Sequence, residues 1–370
     1  MERTCTWTAL VVACLSARGV VAATATQEPD SPVMSATVWR HEVVREEPIL
    51  VRIEIANPSD HDLVLAAPQV DCYADGRAPL SFTLTTDSGA LVKSEWPYST
   101  TGTEAVNCYA AWWSPGPHEW SDALPPPPST WTLPPGAKGH VWIDLLIHYP
   151  WLARKGRYHV ELAYDSRDLK PSPRSSSAPR TWAGCLTAAC GSITVSEPAT
   201  NDQRGADELA KWRTDHYKVL LSWERQAGPA NPAPALAGAL AGTVYEQYAA
   251  ANVALHLSEI GDEAARTLRT LGIERATAAG VAARYPGNAL AGLLELVPAR
   301  QAVWQAKCDL AVVALPEGAE ATSDQRRAID AAVDATKRAV QTYRREAQEA
   351  GDYGAVLDAE RLAGLCGLDK

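Results

Sequence analysis

Short runs in which apolar and polar side chains alternate dominate the first half of the chain. In Val51-Arg52-Ile53-Glu54-Ile55 every second residue falls on one apolar face, as a half-buried strand requires. Runs rich in β-branched and aromatic residues also cover 36–44, 63–65, 81–85, 90–93, 141–147, 158–164 and 192–195. Asn57-Pro58-Ser59-Asp60 and Asp87-Ser88-Gly89 supply turn chemistry between them. Short strands punctuated by turns, with no long helical period, predict an antiparallel β-sandwich over 31–197.

The pattern changes at Ser196-Glu197-Pro198. The polar stretch 198–206 predicts a linker, and 207–370 reads as a helical domain, either an array of hairpins or a bundle. Leu209, Trp212, Tyr217, Leu220 and Leu221 recur near helical spacing until the prolines of 226–235 interrupt them. Further helices are predicted over 236–257, 262–271, 274–284, 288–314 (kinked near Pro298) and 323–350. The expected fold class is therefore multidomain, all-β followed by all-α.

Two resemblances bear on this division. The succession Asn57-Pro58-Ser59-Asp60, Leu133-Pro134-Pro135-Gly136, Gly156-Arg157-Tyr158-His159-Val160 and Trp182-Ala183-Gly184 resembles immunoglobulin-like domains of exported bacterial proteins, many of unknown function. In outline it is also similar to the sandwich of bacterial intracellular proteinase inhibitors. The resemblance covers about 35–196 and implies a fold, with no functional residues. Arg284-Tyr285-Pro286-Gly287-Asn288-Ala289-Leu290-Ala291 resembles the turn between helices of tetratricopeptide-like proteins. It covers one helix pair, without a sustained 34-residue period. Together they imply an immunoglobulin-like domain followed by an irregular tetratricopeptide-like one.

The first 25 residues have a pattern of their own. Met1-Glu2-Arg3-Thr4 carries one Arg, an apolar stretch runs from Cys5 to about Leu15, and small residues follow at Val21-Ala22-Ala23 and Ala23-Thr24-Ala25. That order predicts a signal peptide over 1–25 and an exported protein, periplasmic or extracellular. Val11-Val12-Ala13-Cys14 also fits a lipobox, the alternative being a lipid anchor through Cys14. No stretch reaches the roughly 18 apolar residues that a transmembrane helix needs.

Cysteine usage agrees with export. Of eight cysteines, Cys5 and Cys14 fall in the signal segment, leaving Cys72, Cys108, Cys185, Cys190, Cys308 and Cys366. An even set in an oxidising compartment predicts disulfides. Their distribution suggests Cys308 with Cys366, Cys185 with Cys190, and Cys72 with Cys108. There is no C-x-x-C and no His at finger spacing, so neither a metal nor another cofactor is expected.

Composition narrows the partners. A net charge of −10 without a concentrated basic run excludes a nucleic-acid surface. The chain has one Phe but 13 Trp and 12 Tyr. Trp96, Trp112, Trp113, Trp120 and Trp131 crowd into the Pro-rich insertion 71–132, a candidate binding surface for another envelope protein or a glycan. The same rings could instead pack over the sheet as a lid. His140, Asp144 and His148 share one strand face, but neighbours four residues apart stand roughly 13 Å apart along a strand, too far to share an ion. No G-x-S-x-G, H-E-x-x-H, phosphate loop or dinucleotide fingerprint occurs. The expectation is a non-enzymatic binding or scaffold protein. An envelope enzyme acting on glycans and a proteinase-inhibitor-like module are the alternatives.

Overall fold

The computed structural model describes residues 31–66, 80–92, 130–167, 181–216, 232–255, 262–314 and 321–366, apart from 150, 151, 153, 274, 276 and 289. Strands fill the first half of the chain and helices the second. The strands are β1 (Val33–Val38), β2 (Glu42–Val44), β3 (Leu50–Ala56), β4 (Leu63–Ala66), β5 (Leu80–Thr86), β6 (Leu91–Val92), β7 (Thr130–Leu133), β8 (Lys138–Asp144), β9 (Gly156–Asp165) and β10 (Cys185–Ser196). They form a sheet in the order β1-β3-β8, a second in the order β2-β10-β9-β5-β6, and the pair β4-β7.

The alternation in β3 is realised directly. Val51, Ile53 and Ile55 turn inward and join Val141 and Ile143 of β8 in one core with Val160, Leu162 and Tyr164 of β9 and Ile193 and Val195 of β10. Packing of inner faces from both sheets follows from strands whose apolar period is two. The expectation of a wholly antiparallel arrangement needs one correction. After β1 the chain bends at Trp39-Arg40-His41 and crosses to the other sheet, where β2 runs parallel to β10, with Thr194 opposite Glu42.

Polar side chains fix the corners. Asn57 Nδ2 donates to the carbonyls of His61 and Leu133 at 2.8 and 2.9 Å, while its Oδ1 accepts from Ser59 N and Oγ. Tyr158 O–H, near the start of β9, donates to the carbonyl of Arg154 at 3.0 Å. Gly139 lies beneath the Trp131 ring, and an added Cβ would stand 1.8 Å from Cζ2, so any side chain there displaces the indole.

The strand expected over 141–147 ends at Asp144. Its Oδ1 accepts from Leu146 N at 3.0 Å and starts a single helical turn, α1 (Leu145–His148). His148 therefore leaves the strand, and the predicted row of His140, Asp144 and His148 on one face does not form.

The remaining helices are α2 (Thr200–His216), α3 (Pro232–Ala239), α4 (Glu246–Leu255), α5 (Asp262–Thr270), α6 (Ala278–Arg284), α7 (Ala291–Val313), α8 (Ser323–Glu349) and α9 (Tyr353–Leu365). Neighbours in sequence pack in pairs: α3 with α4, α6 with α7, α7 with α8, and α8 with α9. Helix α2 starts at Thr200, inside the stretch 198–206 expected as a linker, because Thr200-Asn201-Asp202 supplies a first helical turn rather than a loop. The helix expected over 236–257 is two, α3 and α4, divided by turns around Gly242, which adopts φ 75°. Pro298 lies within the continuous helix α7. Among the described residues, no helix is long and apolar enough to cross a membrane.

Among the described cysteines Cys185, Cys190, Cys308 and Cys366, no pair stands at disulfide distance. Cys185 and Cys190 both lie on β10, where five residues span about 16 Å, far beyond the 4.4–6.8 Å between bridged Cα atoms. Cys308 is exposed on α7, and Cys366, half-buried, follows the end of α9. Cys14, Cys72 and Cys108 lie outside the described residues, as does the segment 1–25.

Candidate functional site

Among the described residues, the junction between the strand-rich and helical halves holds buried charge at Glu46, Glu47 and Asp352. It begins at the turn after β2, where Glu46 adopts φ 68°, a left-handed conformation costly for a residue with a side chain. The turn is held by Glu47 N–H donating to the Val44 carbonyl at 2.9 Å and Arg45 N–H donating to the Ser196 carbonyl at 2.9 Å. It drives Glu47, 0% exposed, toward the helices. There the Glu47 carboxylate accepts from Val44 N at 2.9 Å and from the Tyr248 hydroxyl of α4 at 2.7 Å, and pairs with the Arg40 guanidinium.

Burial pushes the Glu47 carboxyl above its usual range, and the nearby Asp202 adds to this; the Val44 amide, the Tyr248 hydroxyl and Arg40 act against it. One turn before Tyr248, the Tyr245 hydroxyl donates to the Arg45 carbonyl at 2.6 Å. Asp202 of α2 accepts from Val244 N at 2.8 Å, tying the first long helix to the same corner. Arg40, Glu47, Asp202, Tyr245 and Tyr248 thus act as a fastening.

A second contact lies at the start of α9. His140 N–H on β8 donates to the Gly351 carbonyl at 2.8 Å, and Asp352 caps α9 by accepting from Ala355 N at 3.0 Å. Tyr353 then enters the sandwich core and stacks on Trp131, with centroids 4.2 Å apart and planes at 23°. The exchange runs both ways, because Leu50 and Trp142, on the outer face of β3 and β8, belong to the helical core. His140 Nε2 stands 3.9 Å from Asp352 Oδ2. Burial and the neighbouring Arg52 charge depress its pKa to about 4, with Glu54 opposing, so the imidazole is neutral at neutral pH.

Two further buried carboxylates are structural. Asp144 Oδ1 accepts from Ile49 N and Leu146 N, both at 3.0 Å, and complete burial raises its pKa to about 6. Within the helical core, Asp358 Oδ2 accepts from Arg300 Nε at 2.8 Å and the Tyr343 hydroxyl at 3.0 Å.

Of the tryptophans expected to form a binding surface, Trp96, Trp112, Trp113 and Trp120 lie outside the described residues. Trp131 does not belong to such a surface: at 6% exposure it is a core residue between Gly139 and Tyr353. Among the described residues, no group of three or more His, Cys, Asp or Glu side chains could hold a metal ion. Sequence reasoning missed Glu47, Tyr245 and Tyr248. The available signal was an acidic pair, Glu46-Glu47, set between apolar runs, followed far along the chain by two tyrosines three residues apart. No protein-family model matches the chain, and no curated protein sequence is significantly similar to it.

Proposed function

We propose that this is an exported, non-enzymatic scaffold protein, in which an immunoglobulin-like sandwich and an array of helical hairpins are fastened together to hold another envelope protein. Several features support the immunoglobulin-like reading. The first strand divides between the two sheets as β1 and β2, and β2 runs parallel to the last strand, β10. In addition, the Tyr158 hydroxyl bonds back to Arg154 at the start of the penultimate strand, the bond that defines a tyrosine corner.

The observation that carries the scaffold reading is the reciprocal junction. Tyr353 of the helices is built into the sandwich core, Leu50 and Trp142 of the sandwich are built into the helical core, and Glu47 is fastened to Tyr248. The junction's titratable groups are consumed by this fastening, and a body so joined presents its surfaces at fixed separation. The partner-facing surface in this reading includes Trp96, Trp112, Trp113 and Trp120. Affinity capture of the mature chain from its native envelope tests it. One partner should be recovered at fixed stoichiometry and lost when Trp112 and Trp113 are both replaced by Ala; absence of any such partner would overturn the reading.

A further inference from the structure

On the outer face of the sheet β1-β3-β8, Leu50 of β3 and Trp142 of β8 pack into the helical core. On β1 the outward positions Val33, Ser35, Thr37 and Trp39 are all exposed. Trp39 is 44% exposed, an unusual state for so large an apolar ring. Its indole is nonetheless held in place. It meets Trp142 edge to face, with centroids 5.8 Å apart and planes at 71°, and Trp142 is anchored in the helical core. Trp39 N–H also donates to the Leu50 carbonyl at 2.8 Å, which extends the β1–β3 ladder and fixes the backbone beneath the ring.

Beside the ring lies a short row of hydrogen-bonding groups. Arg52 is opposite Thr37 on one side and Trp142 on the other, and Glu54 follows on the same face. Arg52 Nη2 stands 3.4 Å from Glu54 Oε2, and Lys138 Nζ donates to Glu54 Oε1 at 3.1 Å. The Arg52 side chain is 43% exposed, so its remaining donors reach solvent.

We propose that this face binds a glycan chain, with one sugar ring stacked on Trp39 and hydroxyls of the chain bonded to Arg52 and, further along, to Glu54. A pyranose has an apolar C–H face and a rim of hydroxyls. The first matches a flat ring that is already ordered, so stacking immobilises no further rotamers. The second matches a pair offering guanidinium donors and carboxylate acceptors side by side. A protein partner suits the face poorly. Its two exposed apolar side chains, Val33 and Trp39, lie six residues apart, about 20 Å along a strand, with Ser35 and Thr37 between, so they do not form the contiguous apolar centre that a protein interface buries. This proposal does not depend on the scaffold reading.

Calorimetric titration of the purified chain tests the proposal, using oligomers of N-acetylglucosamine, β-linked glucose and a uronic acid, each to about 10 mM, the edge of weak binding. At least one should bind, Trp39→Ala should weaken it about tenfold or more, and Arg52→Ala about threefold or more. Trp39→Phe keeps a flat ring and should retain most of the affinity, which separates loss of stacking from loss of fold. The proposal is overturned if none of the three sugars binds, or if Trp39→Ala binds within about twofold of the parent.

Discussion

Replacing Tyr353 by Ala should uncouple the two halves of the molecule. Tyr353 is 4% exposed and stacks on Trp131 at 4.2 Å, inside a core otherwise built by the first half of the chain. Truncating a buried aromatic ring to Ala costs about 3–5 kcal/mol, transfer and cavity terms together, and a stacked partner accounts for about 0.5–1.5 kcal/mol of that. In a domain of this size, such a loss lowers the midpoint of the sandwich transition by roughly 10 °C. The helical core does not contain Tyr353 and should keep most of its stability. Thermal unfolding followed at once by near-ultraviolet aromatic dichroism and by far-ultraviolet helical dichroism reads the difference. The parent should show coincident transitions, and Tyr353→Ala an aromatic transition that precedes the helical one. Glu349→Ala, an exposed change near the end of α8, should move neither by more than about 0.5 kcal/mol. A single coincident transition in Tyr353→Ala, with a loss below about 1 kcal/mol, would refute the claim that this ring joins the halves.

Other outcomes follow from the buried charges. The Asp144 carboxyl, raised from 3.8 to about 6, contributes stability that is present below pH 3.8 and lost as pH rises through about 6. His140, lowered from 6.5 to about 4, contributes stability that is present above pH 6.5 and lost as pH falls through about 4. Each amounts to about 3 kcal/mol, so between pH 4 and 6 they oppose: in denaturant titrations Asp144→Asn should make stability rise with pH, and His140→Gln should make it fall. Identical slopes in both variants would rule this out. Asp358→Ala breaks the buried pair with Arg300 and also removes the acceptor of the Tyr343 hydroxyl, and should cost about 3–5 kcal/mol in urea unfolding, whereas the double change Arg300→Met with Asp358→Leu should restore most of it; equal losses would contradict the ion-pair account. Tyr158→Phe removes the bond to Arg154 and should cost about 1 kcal/mol, so an unchanged midpoint would mean that the corner contributes nothing.

The strands were legible where one face meets a core and the other meets solvent. Val51-Arg52-Ile53-Glu54-Ile55 reads correctly because its period of two survives folding. The junction was hidden for the same reason. On β8 the outer residues His140 and Trp142 suggest a solvated face, yet helices from the other half cover them, and no local pattern encodes a distant cover. Trp131 was misread because a tryptophan beside Pro125-Pro126-Pro127-Pro128 suggests a loop, while its partners, Gly139 and Tyr353, lie elsewhere in the sequence. Helix α9 escaped notice because Gly351-Asp352-Tyr353-Gly354 reads as an ending; the Asp352 side chain turns it into a beginning. The Asp144 cap worked the same way, cutting short a strand that propensity alone would extend.

Tyr353 also bears on the order in which the molecule can be assembled. The strands emerge from the ribosome long before Tyr353, the residue that completes their core. Until α9 arrives, the Trp131 ring lacks its stacking partner and the sheet lacks a plug, leaving a half-finished surface that invites wrong associations. A chain cut before that helix would carry the described strands but not the ring that completes their core. Helix α9 therefore completes a core whose strands were made far earlier, so the two halves depend on each other in time as well as in space.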